Sequence, residues 1–520
     1  MGTGNKGKEN PWKIKAVIRS KVIKLLNRSL LRQTSRAESW RAKYYEQSTV
    51  LQEQRAEIKK QALTINALTD ISIKGISRTP PQDVVLAGYK FPLSVMWLSI
   101  MLYMCGLSFR GVSSVWVFLR SFLGINFKIP SYGTVRIWVL KQGLYMLKKG
   151  GKIGGMGKKS KEKWALIVDE SYSLGKSRLL LVLGIRLSSL KKGQCLTMSD
   201  VEPIEIQSGA TWKEDEVVAV LKKAVKKVEG SVAYVVSDRG ASLVSAYKKH
   251  GLDHVPDWSH YIANILEGLY AQNDDFKEFN IKMSQFKKKR KQSEYSQYSP
   301  PTLSVKMRFM NYIPFLEWAN MLLKNFKKLP LGIIEELAFL KMQKPFIAEM
   351  TDLFFTGDKI GLLLKKQGID LTTEEEVRLI KEALIKKYPK NTRVIAFSEG
   401  IDAYFAQTMP IYENFAQKNE KMPLVFNGLI ASSEIIESIF GKFKHRCLKD
   451  PKRGFSAIAL IIPLLCRNFS PFDVFKAMFS IHAKDLCLWE KNNLTKKGYK
   501  SFRNIFNKKT KKGTRFENAV

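Results

Sequence analysis

Trp164-Ala-Leu-Ile-Val-Asp169 and Val232-Ala-Tyr-Val-Val-Ser-Asp238 are two short apolar runs, each closed by an acid, and their reading decides the fold. Runs of this length rich in Val and Ile, bounded by polar residues, read as buried strands. Between them, Arg178 to Leu187 (RLLLVLGIRL) is a second strand after a Gly-containing turn, and a third lies within Cys195 to Ile206. Lys213 to Val228 places its apolar residues at helical spacing. Beyond Asp238 come a short strand around Leu252 to Val255 and a helix from Ser259 onward. Three consecutive strands followed by alternation predict an α/β fold. Its sheet is mixed, antiparallel in its first strands and parallel in its later ones.

Acids at the carboxyl ends of neighbouring strands sit where open α/β sheets bind ligands. Two such carboxylates repel each other, and a divalent cation relieves the repulsion. Strand-end Asp is also a common turn former, so each alone is a weak signal. The candidate third acid lies in Ser432-Ser-Glu-Ile-Ile-Glu-Ser-Ile-Phe-Gly-Lys-Phe-Lys444. On a wheel of about 100° per residue, Ile435, Ile436, Ile439, Phe440 and Phe443 gather within about 140°. Ser433, Glu437 and Lys444 fall within about 40° of one another at the margin of that face, and Glu434 points further out. Glu437 is therefore the candidate, with Glu434 as its rival. Ser432 and Ser433 are both candidate caps for the start of this helix.

Outward from this core, residues 1–35 form a basic arm. Residues 36–79 form a helix or weak coiled coil, with Tyr44, Leu51, Ile58 and Ile65 every seventh residue. Residues 80–147 are helical. Leu107 to Val112 opens a helix that ends near Gly124, and a second follows Ile129-Pro130-Ser131. Two short helices with Ser starts read as a helix-turn-helix-like unit. Val135, Trp138 and Val139 face inward, leaving Tyr132, Thr134 and Arg136 for DNA; a plain helical subdomain is the competing reading. Residues 148–163 are a Gly/Lys linker, 164–272 the first part of the core, and 273–425 a helical segment. Residues 426–470 carry the candidate catalytic helix, and 471–520 a basic C-terminal region. Within the helical segment, Lys287, Lys288, Lys289, Arg290 and Lys291 are a charge run with a second reading as a DNA contact. Trp318 shares helical spacing with Phe315, Ala319 and Leu322, so core packing is its first reading. Arg239, beside Asp238, is a further DNA candidate, and His260 reads either as a neighbour of the acids or as a structural histidine.

The chain of 520 residues carries 87 Lys and Arg against 47 Asp and Glu, a formal net charge of +40 spread from end to end. That excess calls for a polyanionic partner, and a nucleic-acid backbone fits it best. Five cysteines without a CxxC pair indicate neither a disulfide framework nor a thiolate zinc site. The apolar stretch from Phe91 to Leu107 carries Pro92 and reads as a buried helix, not a membrane span. The basic, polar N-terminus has no signal-peptide core. A cytoplasmic, nucleoid-associated protein is the expectation.

With these residues in place, the chain resembles the RNase H-like DDE transposases of bacterial-type insertion sequences. In them the first Asp ends strand one, the second ends strand four, and the Glu lies on a later helix. The matching residues are Asp169 in Ile-Val-Asp-Glu-Ser, Asp238 in Val-Ser-Asp-Arg-Gly, and Glu437 in Ile-Ile-Glu-Ser-Ile-Phe-Gly-Lys-Phe-Lys. The spacing of 69 residues suits that fold, and the next, of 199, matches members with a helical insertion. Many relatives have a basic residue seven positions after the Glu, where Lys444 stands. Members with a Tyr-Arg-Glu-Lys signature have Arg and Tyr where this chain has Ser433 and Ile430, so it departs from that subgroup. The resemblance implies an RNase H-like core interrupted by a helical insertion and preceded by a helical DNA-binding region. It further implies Asp169, Asp238 and Glu437 as catalytic metal ligands for Mg²⁺, with Mn²⁺ as a substitute, in a site of two ions about 4 Å apart. Double-stranded DNA, as transposon ends and target, is the implied partner, bound by a homodimer or larger assembly. Two other readings stay open: another RNase H-like nuclease or integrase, and a DNA-binding protein that keeps the fold without the chemistry.

Overall fold

The computed structural model describes residues 85–124, 128–153, 161–174, 177–302, 309, 311–419, 428–446, 455–466 and 468–494. The basic arm, the weak coiled coil and the tail beyond 494 lie outside the described residues, as do residues 154–160 of the Gly/Lys linker. The chain divides into two compact units, residues 1–80 with 87–89 and residues 81–86 with 90–520. The second is described below.

Among the described residues three helices precede the sheet: α1 (Leu93–Met104), α2 (Phe109–Leu123) and α3 (Tyr132–Lys149). Ser108 caps α2 by accepting from Gly111 N, and Gly124, at φ 63°, ends it in the left-handed conformation that glycine adopts without strain. Ser131 caps α3 by accepting from Thr134 N. The inward set is as expected, with Val135, Trp138 and Val139 buried. The second half of α3 is buried on nearly all sides, including Lys141, Gln142 and Gly143.

The sheet follows: β1 (Lys163–Leu174), β2 (Ser177–Arg186), β3 (Val201–Gly209), β4 (Ser231–Ser237) and β5 (His254–Pro256). Helix α4 (Glu214–Lys227) joins β3 to β4, and α5 (Ala241–His250) joins β4 to β5. The order is β3-β2-β1-β4-β5. The pairs β1–β2 and β2–β3 are antiparallel, while β1–β4 and β4–β5 are parallel. The mixed α/β sheet is therefore the one the strand pattern predicts. Alternation splits each strand between two faces. Trp164, Leu166, Val168, Leu180, Val182 and Val235 pack with α4 and α5 into one core.

Two boundaries differ from expectation. β1 does not stop at Asp169. It continues to Leu174 as the arm of a hairpin with β2, with an irregularity between Asp169 and Tyr172. Cross-strand pairing extends a strand past the point where its apolar run ends. β3 likewise begins at Val201 and runs beyond Ile206 to Gly209, because Gln207 and Ser208 pair with Leu180 and Leu179.

After β5 come α6 (Trp258–Tyr270), then α7 (Asp274–Arg290), α8 (Ile313–Lys324), α9 (Leu331–Glu336), α10 (Ala338–Met342), α11 (Lys344–Gln367), α12 (Leu371–Lys387) and α13 (Thr392–Asn419). The helical character expected for 273–425 holds among the described residues. An isolated antiparallel bridge, Ile369 with Leu429, ties the return of the chain to this segment. α14 (Glu434–Arg446) packs on β1, on the face opposite α4 and α5. α15 (Ile462–Leu465) packs on β3 and on α3.

α16 (Pro471–Ser480) and α17 (Ala483–Asn493) are the last of the described elements. They pack against α3, and Lys149 Nζ bonds Asp473 Oδ1 at 2.6 Å. A Cβ on Gly143 would lie 1.8 Å from the Leu460 carbonyl oxygen, so glycine alone allows α3 this close to the 457–461 turn. At the other end Arg446 donates to the last carbonyls of α1, Tyr103 O at 3.4 Å and Met104 O at 2.5 Å. Among the described residues no helix is long and apolar enough to cross a membrane.

Candidate active site

The parallel pairing of β1 with β4 runs through Ile167 opposite Val236. Asp169 and Asp238 each stand two residues past these last paired positions, at the carboxyl side of the parallel pair. Asp169 shares a face with Ala165 and Ile167, opposite the α4–α5 core, and α14 lies on that face. Asp169 is buried, 9% exposed as a residue. Asp238 is the first residue beyond β4, half-buried, and its Oδ1 accepts from Gly240 N at 3.2 Å. The β4–α5 turn thus fixes Asp238 at the sheet's carboxyl edge.

Glu437 stands one turn into α14. Ile436, Ile439, Phe440 and Phe443 are buried, and Ile435 is half-buried, so the wheel gives the inward face correctly. Glu437 Oε1 lies 3.2 Å from His260 Nε2 in the first turn of α6. The Glu437 contact raises the imidazole to about 9 against burial, and the Asp257 and Asp238 charges add to it. The imidazole therefore favours its protonated form beside Glu437. Glu434, expected to point to solvent, instead takes Lys365 Nζ at 2.6 Å and Ser259 Oγ at 2.7 Å. The reason is the helical segment, which places α11 beside the start of α14.

Next to Asp169, Glu170 is half-buried, and its Oε2 has no hydrogen-bond partner. Burial pushes its carboxyl up, Arg178 opposes this, and the Asp238 charge adds to it. Behind Asp238, His254 Nε2 meets Ser237 Oγ at 3.0 Å, and burial pulls its imidazole down to about 4. A cleft of about 480 Å³ opens beside Glu437, lined by Trp258, Phe354, Asp358, Lys365 and Glu434 among others.

The basic candidates divide. Arg239 is exposed and lies over the Tyr261 ring, 5.2 Å from its centroid. Lys444 is exposed, two turns past Glu437. Tyr132 and Arg136 are exposed on the first turn of α3, with Arg110 over the Tyr132 ring. Thr134 Oγ1 is 2.9 Å from Ser131 Oγ and serves the cap. In the charge run, Lys287 donates to Pro301 O and Thr302 Oγ1, while Lys289 and Arg290 grip Glu336. Lys288 and Lys291 are left exposed. Trp318 is buried, and its indole N–H donates to Tyr298 O at 2.9 Å.

Sequence reading missed Asp257. It caps α6 and also binds Ser433 Oγ and N. The cap is legible, because Asp stands three residues before His260, but the bond to a residue 176 positions away is not. Of the two candidate caps, Ser432 Oγ accepts from Glu434 N at 3.3 Å.

The donor set of three carboxylates is chemically suited to a hard cation such as Mg²⁺. Among the described residues no three His, Cys, Asp or Glu side chains are gathered as a closed ligand set. Asp169 and Asp238 follow neighbouring strands of one sheet, whereas Glu437 is turned to His260. No family model matches the chain, and no curated protein matches it either.

Proposed function

We propose that this chain is a DNA transposase that cleaves 3′ ends and joins them to target DNA with Mg²⁺. One observation carries the reading. Asp169 and Asp238 each follow by two residues the last paired positions of adjacent parallel strands in a β3-β2-β1-β4-β5 sheet, with Glu437 on the helix packed over β1. The mixed five-stranded sheet supports the RNase H-like core that the resemblance implies, and in this reading the helices between β5 and α14 are its insertion.

In this reading Asp169, Asp238 and Glu437 hold the metal. Bound Mg²⁺ supplies activation of a water or 3′-hydroxyl and stabilisation of the leaving oxygen. The chain's own residues do the rest. Asp238, fixed by the Gly240 amide, and Asp169, fixed in the ladder, present oxygens from a rigid edge. His260 holds Glu437 Oε1 at 3.2 Å, so a bound cation would compete with the imidazole for that oxygen. The exposed Lys444 and Arg239 would offer positive charge to the DNA backbone, a contact that reads no sequence. Tyr132 and Arg136, at the amino-terminal turn of α3, are placed as a recognition helix places its base contacts.

The test uses duplexes carrying the DNA that flanks the reading frame, a supercoiled target and Mg²⁺. Nicking at the element's 3′ ends and joined products are expected, lost in Asp169→Asn and Glu437→Gln. Products that persist in both variants, or that form without divalent metal, would contradict it.

A further inference from the structure

Asp257 is a carboxylate that the proposed chemistry leaves unused. It is 1% exposed, at the turn from β5 into α6. Its Oδ1 accepts from His260 N at 2.9 Å, the ordinary bond of a helix cap. A cap needs only one oxygen. The other, Oδ2, accepts from Ser433 N at 2.5 Å and from Ser433 Oγ at 2.9 Å. The backbone closes the same seam, with Asp257 N donating to Ser237 O and Trp258 N to Ala431 O, each at 2.8 Å. Above it, Ile430 N donates to the Tyr234 hydroxyl at 3.0 Å.

One buried carboxylate thus grips two chain segments. Oδ1 holds the first turn of α6, which carries His260, and Oδ2 holds the entry to α14, which carries Glu437. A few residues into each helix the two side chains meet at 3.2 Å. The Ser237 carbonyl that anchors Asp257 belongs to the residue before Asp238, so the grip is referenced to the sheet edge.

We infer that Asp257 is a positioning residue, whose two oxygens set Glu437 and His260 opposite each other at the level of Asp238. Its consequence for metal binding rests on the strand-transfer reading; its consequence for α14 does not. Outer residues that orient metal ligands typically change affinity by about 10–100-fold when replaced.

Asp257→Asn keeps the shape but puts an NH₂ group against one set of donors. Two readouts on the full-length chain separate the claims. Hydrogen exchange without metal should show lost protection over 430–440 and the first turn of α6, with β1 and β4 unchanged. Free Mn²⁺ measured by electron paramagnetic resonance should show affinity lowered about tenfold, in the direction of Asp169→Asn and Glu437→Gln. Unchanged exchange overturns the positioning role. So does unchanged Mn²⁺ affinity in Asp257→Asn where the Asp169 and Glu437 variants lose it, an outcome a purely structural cap predicts. If exchange changes but Mn²⁺ affinity is the same in wild type and all three variants, positioning stands and the strand-transfer reading falls. Should Asp257→Asn not fold, Ser433→Ala carries the test. It removes one donor to Oδ2 and should give smaller shifts in both readouts, and no shift in exchange overturns the inference.

Discussion

At the scale of single residues, the acids are distinguished by what holds them. Glu434 is tied to Lys365 and Ser259, whereas Glu437 has a histidine that a cation can displace. Glu437→Gln should therefore lower strand transfer on the order of a thousandfold with DNA binding retained. Glu434→Gln should cost far less, and a gel assay of joined products compares them. The histidines give a pH signature. His260 is raised to about 9, so its contribution to stability is complete below the unfolded value near 6.5 and is lost as pH rises toward 9. His254 is lowered to about 4, so protonating it costs stability as pH falls from about 6.5 toward 4. The metal-free chain should melt highest near pH 6.5. Glu437→Gln should flatten the alkaline limb alone, and a limb that persists would show that the Glu437 contact is not what sustains the His260 charge.

At the scale of elements, the strands and their directions were legible because each buried strand is an apolar run and the β-β-β-α-β-α order restricts the connections. The buried face of α14 was legible from 3.6-residue spacing, but the Lys365 and Ser259 contacts of Glu434 were not, because they come from distant segments. The end of β1 was not, because pairing with β2 carries polar Asp169 to Ser173 along the ladder. Nor was the Asp257–Ser433 bond, which depends on tertiary placement alone. The closeness of α3 to the 457–461 turn was equally hidden, since it rests on a missing Cβ at Gly143. Gly143→Ala forces that Cβ onto a backbone carbonyl and should destabilise the fold by about 3 kcal/mol. Denaturant unfolding measures it, and a change within error would mean that α3 sits elsewhere.

At the scale of the whole molecule, α3 is shared between the candidate DNA-reading surface and the packing of α15, α16 and α17. Removing residues 1–150 would strip the core, so point substitutions must separate the surfaces. Arg136→Ala and Tyr132→Ala should reduce discrimination of the element's ends from random duplex. Lys288→Ala and Lys291→Ala should weaken all duplexes alike and lower the salt slope by about one each, if each neutralises a phosphate. Arg290→Ala should instead loosen the Glu336 contact within the helical segment. Fluorescence anisotropy across a salt series distinguishes these outcomes, and an unchanged slope in the lysine variants would place the phosphate contacts elsewhere. The central claim, that residues 169, 238 and 437 serve one metal site, is tested most directly by anomalous diffraction from crystals grown with Mn²⁺. The account predicts Mn²⁺ density bridging Asp169 and Asp238, with Glu437 turned from His260 toward it. Density away from these carboxylates, or carboxylates more than about 10 Å apart in the metal-loaded chain, would contradict it.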